Sequence, residues 1–201
     1  MSHPVLTRST HRRSGRPMIP VLPDIQLATS RVHEFCGPAR RMLACLVAGR
    51  IDGPVFWIHP SWHSDELYLP TVARFFNPGR LTILRPNRVE DFLWSMEECL
   101  RDGSAPLVVG DFHAPAGLTP VRRLNLAAEA AYEERMKTTV GLLLAPGDGG
   151  SPGVETRWHI AGAHTPGRRA WTLERRRARM EPPKAWDLTP GWHLSPRPLA
   201  S

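Results

Sequence analysis

Lysine is almost missing from this chain. Of its 26 basic residues only Lys137 and Lys184 are lysines, and the remainder are arginines. So lopsided a preference also follows from a GC-rich coding sequence, which weakens any step from basic charge to nucleic-acid binding. Cysteine is scarce too. Cys36, Cys45 and Cys99 are odd in number, widely spaced, and form no Cys-x-x-Cys pair. That pattern argues against a disulfide framework and for reduced thiols in a cytosolic protein. No apolar run approaches the roughly 20 residues that span a bilayer, so no membrane segment is expected. Met1 to Pro20 holds arginines without a continuous apolar stretch, so no secretory signal is expected either. No internal repeat is visible.

What is present is a globular composition. A chain of 201 residues with 41% hydrophobic content can bury one sizeable core. The net charge of +7 is unevenly spread. Residues 1–31 carry five arginines against Asp24, for +4. Residues 32–150 carry twelve Lys/Arg against fourteen Asp/Glu, for −2, and residues 151–201 carry nine against four, for +5. A mildly acidic middle between basic flanks fits nucleic acid or an acidic partner. Residues 1–28 read as a basic, Pro/Arg-rich tail, disordered or only partly docked, with Ile25 and Leu27 starting the ordered part. Residues 29–190 read as one domain and 191–201 as a flexible C-terminal tail.

Within the domain, strands alternate with helices. Arg31 to Cys36 reads as a strand ending at the Gly37-Pro38 turn, and Ala39 to Gly49 as a helix. Val55–Ile58 and Leu107–Val109 are short apolar runs expected to be buried strands, and Leu81–Leu84 and Thr139–Leu144 are expected to be strands as well. Ser64 to Phe76 is a candidate helix with Ser64 as N-cap, and Pro70 implies a kink or a late start. Asn87 with Glu90 has the capping-box spacing, and Val89, Phe92, Leu93, Met96 and Leu100 then form one apolar helical face. Thr119-Pro120 opens another helix, which runs to about Met136. The alternation predicts a mostly parallel twisted sheet with helices on both faces. Thr156–Ala161 and Trp171–Arg179 predict an antiparallel extension of the same sheet.

The junction at Gly37 is where a nucleotide-binding α/β domain keeps its phosphate loop, Gly-x-x-x-x-Gly-Lys-Ser/Thr. Here Gly37-Pro38 is followed by Ala39, Arg40, Arg41, Met42 and Leu43. The second glycine, the lysine and the magnesium-binding hydroxyl are all missing. Asp111 stands where a Walker-B-type carboxylate would end its strand. Arg40 and Arg41 could meet phosphate electrostatically without replacing the Lys and Ser/Thr pair. The expectation is a degenerate nucleotide loop made of Gly37, Pro38, Arg40, Arg41 and Asp111. It has no catalytic residues and no cofactor, and weak ATP or anion binding is left open.

Other clusters have plainer readings. His59-Pro60-Ser61-Trp62-His63 with Asp65, Glu66 and His33 contains metal-ligand types, but Pro60 breaks the helical spacing, so a polar loop is expected and no metal. Cys36 has no activating neighbour and reads as a small buried residue. Trp94, Glu97 and Glu98 lie off the apolar stripe of their helix, as a partner surface or a solvated face. Trp158, Trp171 and Trp186 read as core or hairpin packing. In a strand, Arg175, Arg177 and Arg179 share one face and Arg176 the other. That stripe is the favoured contact for DNA or an acidic partner, with a charged, aggregation-resistant edge as the equal alternative.

The strand and loop Arg31 to Pro38, with the order of later elements, resemble the RecA ATPase core. A narrower resemblance is to the ImuA family, RecA-like accessory proteins of bacterial mutagenic translesion synthesis. Its carriers are Val32-His33-Glu34 with Gly37-Pro38, and Asp91 to Glu98 with Leu100. Leu107 to Asp111, Arg122 to Glu129, Thr156-Arg157-Trp158 and the Trp171 to Asp187 strands complete the set. The match covers about residues 30–190. It implies a cytoplasmic, nucleoid-associated, non-catalytic adaptor in SOS-induced error-prone DNA synthesis and repair. The implied partners are RecA, an ImuB-type Y-family polymerase homologue and an error-prone DnaE-type polymerase. SulA-type division inhibitors, which bind FtsZ, share the degenerate fold, and fold alone does not separate them. A DNA-stimulated ATPase with an atypical loop is the enzymatic alternative.

Overall fold

The computed structural model describes residues 17–179 and 181–199. A hairpin comes first, β1 (Met18–Leu22) and β2 (Ile25–Ala28), followed by β3 (Arg31–Cys36), α1 (Arg40–Ala48) and β4 (Val55–Ile58). Next are α2 (Leu69–Val72), β5 (Leu81–Leu84), α3 (Val89–Asp102), β6 (Leu107–Asp111), α4 (Leu118–Arg135) and β7 (Val140–Ala145). The chain closes with β8 (Thr156–Gly162), β9 (Trp171–Ala178), β10 (Lys184–Thr189) and β11 (His193–Arg197). Nine strands form one mixed sheet in the order β11-β10-β9-β8-β3-β7-β6-β4-β5. From β8 to β5 every pairing is parallel, and β9, β10 and β11 are added antiparallel. The expected α/β class and mostly parallel sheet are present, but the antiparallel extension starts one strand later than expected, because β8 joins β3 in parallel and only β9 reverses direction.

Strand alternation sorts the apolar side chains onto two faces. Leu107 and Val109 of β6, with Val140, Leu142 and Leu144 of β7, join Trp57, Phe35 and the buried side of α1 in one core. Val108 and Leu143 point the other way, to Phe92, Met96 and Leu100 of α3 and Leu124 and Ala128 of α4. The α3 stripe at Phe92, Met96 and Leu100 is therefore real, although its first expected member, Val89, is half exposed. Gly110 lets α3 approach closely, since a Cβ there would lie 2.8 Å from Met96 Sδ and 3.1 Å from Phe92 Cζ.

Several local readings need correction. The tail expected over residues 1–28 is a hairpin from Met18 to Ala28 that puts Val21, Leu22, Ile25 and Leu27 into the core, while residues 1–16 lie outside the described residues. The C-terminal tail expected from 191 contains β11, paired antiparallel with β10 from Ala185↔Arg197 to Thr189↔His193. The helix expected from Ser64 shrinks to Leu69–Val72, because Pro70 is tolerated only in a first turn. Asn87 is not the α3 N-cap: Arg88 holds that position with no side-chain cap bond, and Asn87 Oδ1 accepts from Ser61 Oγ at 2.7 Å. Among the described residues no helix is long and apolar enough to cross a membrane.

Candidate functional site

The C-terminal ends of β3, β4 and β6 meet the start of α1, the edge at which open parallel sheets gather ligands. Gly37 has φ +92°, and a Cβ there would sit 2.4 Å from Ile160 O and 2.9 Å from the His159 ring. Only glycine lets β8 lie this close over the turn. The Ala39 N–H donates to Ile160 O at 3.2 Å, and the Arg40 N–H to Gly37 O at 3.3 Å. The Arg40 side chain also donates to Gly37 O. A phosphate cradle needs free, convergent N–H groups, and two of these are already committed to the protein's own carbonyls.

α1 has no acidic residue in its first turn and no side-chain cap. Arg40 and Arg41 instead stand at the positive end of its dipole, an arrangement disfavoured by about 0.3–1 kcal/mol per charge. Two carboxylates compensate. Arg41 Nε donates to Asp111 Oδ2 at 2.5 Å, and Arg41 Nη2 lies 2.9 Å from Asp65 Oδ2. An internal ion pair thus fills the space between the loop and the strand-end carboxylate. The degenerate-loop residues expected from sequence do come together here: Gly37, Arg40, Arg41 and Asp111 line the junction, and Pro38 is its exposed corner.

Around Asp111 stand three histidines. His59, at the end of β4, has Nδ1 3.6 Å from Asp111 Oδ2, and its Nε2 donates to the His63 carbonyl at 3.2 Å. The His63 and His113 rings stack with centroids 3.3 Å apart and planes tilted by 16°. His113 Nε2 lies 3.7 Å from Asp65 Oδ1. Partial burial and the His63 charge hold His113 below the ordinary histidine pKa, against the pull of Asp65 and Asp111. Burial resists ionisation of Asp65, but Arg41 and His113 outweigh it and keep the carboxyl below its usual range. Asp111 is wholly buried, and its Oδ1 has no hydrogen-bond partner among the described residues.

Thiolate chemistry finds no support at this edge. Burial pushes the Cys36 and Cys45 thiols up to about 12, so neither supplies a thiolate near neutrality. Cys36 is the small buried residue expected, its Sγ donating to Trp158 O at 3.4 Å.

Two members of the expected polar cluster belong elsewhere. Glu66 pairs with Arg85 at 2.9 Å, at the surface. His33 is a satisfied core histidine. Its Nε2 donates to Ala28 O at 3.0 Å, and its Nδ1 accepts from Thr156 Oγ1 at 2.7 Å. Burial drives its pKa down to about 4, partly offset by the Ala28 bond.

The expected arginine stripe is broken. A bulge at Arg176 lets Arg177 face Arg157 while Arg175 faces Trp158, so strict alternation fails. Arg175 is buried over the Trp158 and Trp186 rings at 5.8 and 5.7 Å, and pairs with Glu181 and the Pro182 carbonyl. Arg179 lies past the strand end, 3.7 Å from Glu155. The hollow beside them, about 350 Å³, also carries Asp24, Glu155 and Glu181, so its charge is mixed. Trp158 and Trp186 are core residues, as expected. On α3, Trp94 is exposed, while Glu97 is buried and tied to Arg101 and Arg123 at 2.6 and 2.7 Å.

His113 is the residue that sequence reasoning missed. Its signal is the Asp111-Phe112-His113 spacing, which sends a second polar side chain beyond the end of a parallel strand. No family model matches the chain, and no curated protein matches it.

Proposed function

We propose that the chain is a RecA-like, non-catalytic adaptor of the ImuA type. In this reading it supports damage-induced error-prone DNA synthesis through contacts with RecA and an ImuB-type polymerase homologue. One observation carries the reading: Arg41 is locked between Asp111 and Asp65, where a working loop would keep its lysine and magnesium. The self-bonded Ala39 and Arg40 amides agree with it. So does the sheet, in which β7 alone separates the loop strand β3 from the Asp111 strand β6. The adaptor acts by docking: a RecA-like surface without nucleotide turnover joins or caps a RecA filament, or holds the polymerase homologue. This loop geometry disfavours an ATPase, and with Arg175 buried the arginine stripe no longer favours direct DNA binding.

Affinity capture of the tagged chain from DNA-damaged cells, read by mass spectrometry, tests the proposal. Recovery of a Y-family-like polymerase with or without RecA is the expected result. FtsZ without polymerase components would replace the reading with division control of the SulA kind. Capture of none of these would end it.

A further inference from the structure

We infer that His63, Asp65 and His113 form a binding site for a divalent transition metal of the zinc class. The inference goes beyond the adaptor reading and does not depend on it. One ligand atom from each of the three residues lies within 4.8 Å of the others. Asp65 Oδ1 and His113 Nε2 are 3.7 Å apart, too far for a hydrogen bond. Two ligands held about 2.0–2.1 Å from a tetrahedral zinc stand roughly 3.3 Å apart, so this gap needs only a small closure. The other Asp65 oxygen is held by Arg41 at 2.9 Å, which leaves Oδ1 to the histidine side.

The cluster contains two polar atoms that a native interior rarely leaves alone. His113 Nε2 is buried without a hydrogen-bond partner among the described residues. Asp111 Oδ1 is equally unpartnered on a side chain with no exposed surface. A cation would bind the first directly and give the second a counter-charge. With the imidazoles neutral, Asp65 and Asp111 outweigh Arg41 by one negative charge. Arg40 works against a cation and offsets that excess, so the site rests on the geometry of its ligand atoms and not on net charge. Two imidazoles and one carboxylate suit zinc and its neighbours, whereas magnesium and calcium favour all-oxygen sets.

His63 must turn its ring out of the stack, and it sits in a segment without regular structure between β4 and α2. The His59 Nε2 donation to the His63 carbonyl anchors the backbone during that adjustment. Three protein ligands leave a fourth position for water or a partner's side chain.

The test uses the full chain stripped with a chelator, then titrated with Zn²⁺ by calorimetry and with Co²⁺ by visible absorption. One equivalent should bind, with the intense bands of tetrahedral cobalt. His113→Gln and Asp65→Asn should each weaken binding at least tenfold, while His164→Gln, in the loop after β8 and outside the cluster, should leave it unchanged. Asp65 is half exposed on a loop, so its variant retains the fold, which circular dichroism checks. Absence of stoichiometric binding overturns the inference, as does equal affinity in the Asp65 and His113 variants.

Discussion

Glu34 on β3 and Asp111 on β6 are both wholly buried carboxylates that face an arginine, with β7 between their strands. Their surroundings differ. Glu34 uses both oxygens: the Gly150 and Ser151 amides donate to Oε1 at 3.1 and 2.9 Å, and Arg157 Nε donates to Oε2. Asp111 spends Oδ2 on Arg41 and leaves Oδ1 without a hydrogen-bond partner among the described residues. The neighbouring histidines repeat the contrast, since both ring nitrogens of His33 are hydrogen-bonded and His113 Nε2 has no hydrogen bond among the described residues. A fully satisfied network fixes shape, and here it pins the loop before β8 onto β3. An unsatisfied network at a sheet's C-terminal edge leaves polar groups open to water or a ligand.

The largest expected effect comes from breaking the closed network. Glu34→Gln leaves Arg157 without its charge partner and sets an amide NH₂ against either the Arg157 donor or the Gly150 and Ser151 donors. Breaking a buried pair in this way costs about 3–5 kcal/mol. Urea unfolding followed by far-UV circular dichroism should show that loss. A cost below about 1 kcal/mol would mean that Glu34 does not organise the loop.

His33 gives the next effect, and its sign is fixed by linkage. Its folded pKa is about 4 against the ordinary 6.5, so the fold holds the neutral ring. As pH falls below 6.5 the unfolded chain takes up the proton first. Stability is therefore full above about 6.5 and drains away toward 4, by about 3 kcal/mol in total. His33→Gln keeps a donor and an acceptor in place but cannot titrate. Comparing urea midpoints at pH 7 and pH 4.5 should show a smaller drop in the variant than in the native chain. Equal drops would assign the acid sensitivity to other groups.

Which parts of this contrast were legible in the sequence follows from how local each determinant is. Val55–Ile58 and Leu81–Leu84 were readable as strands because short apolar runs of β-branched and aromatic residues carry their own signal. The meeting of Arg41 and Asp111 at one sheet edge was readable because each follows or ends a recognisable strand. The β1–β2 hairpin was not, since its proline-rich sequence looks like tail until Val21, Leu22, Ile25 and Leu27 find the core. Arg175 was misplaced because a one-residue bulge, invisible in sequence, changes which side chains share a face. His113 escaped because its partners Asp65 and His63 come from a different loop, joined to it only by the β4–β6 pairing.

The smallest effect separates the two carboxylates. Asp111→Asn keeps an acceptor for Arg41, and Arg41 retains Asp65 at 2.9 Å. Partial exposure of Arg41 lets water screen what remains. The expected loss is about 1–2 kcal/mol, below that of Glu34→Gln. If the variant also unfolds at the same urea concentration with and without added Zn²⁺ while the native chain gains stability from the metal, Asp111 supplies the counter-charge that the open network needs. If instead the loss equals that of Glu34→Gln, both carboxylates are structural staples. The difference between the two edges of β7 would then be only a matter of which hydrogen bonds each happens to make.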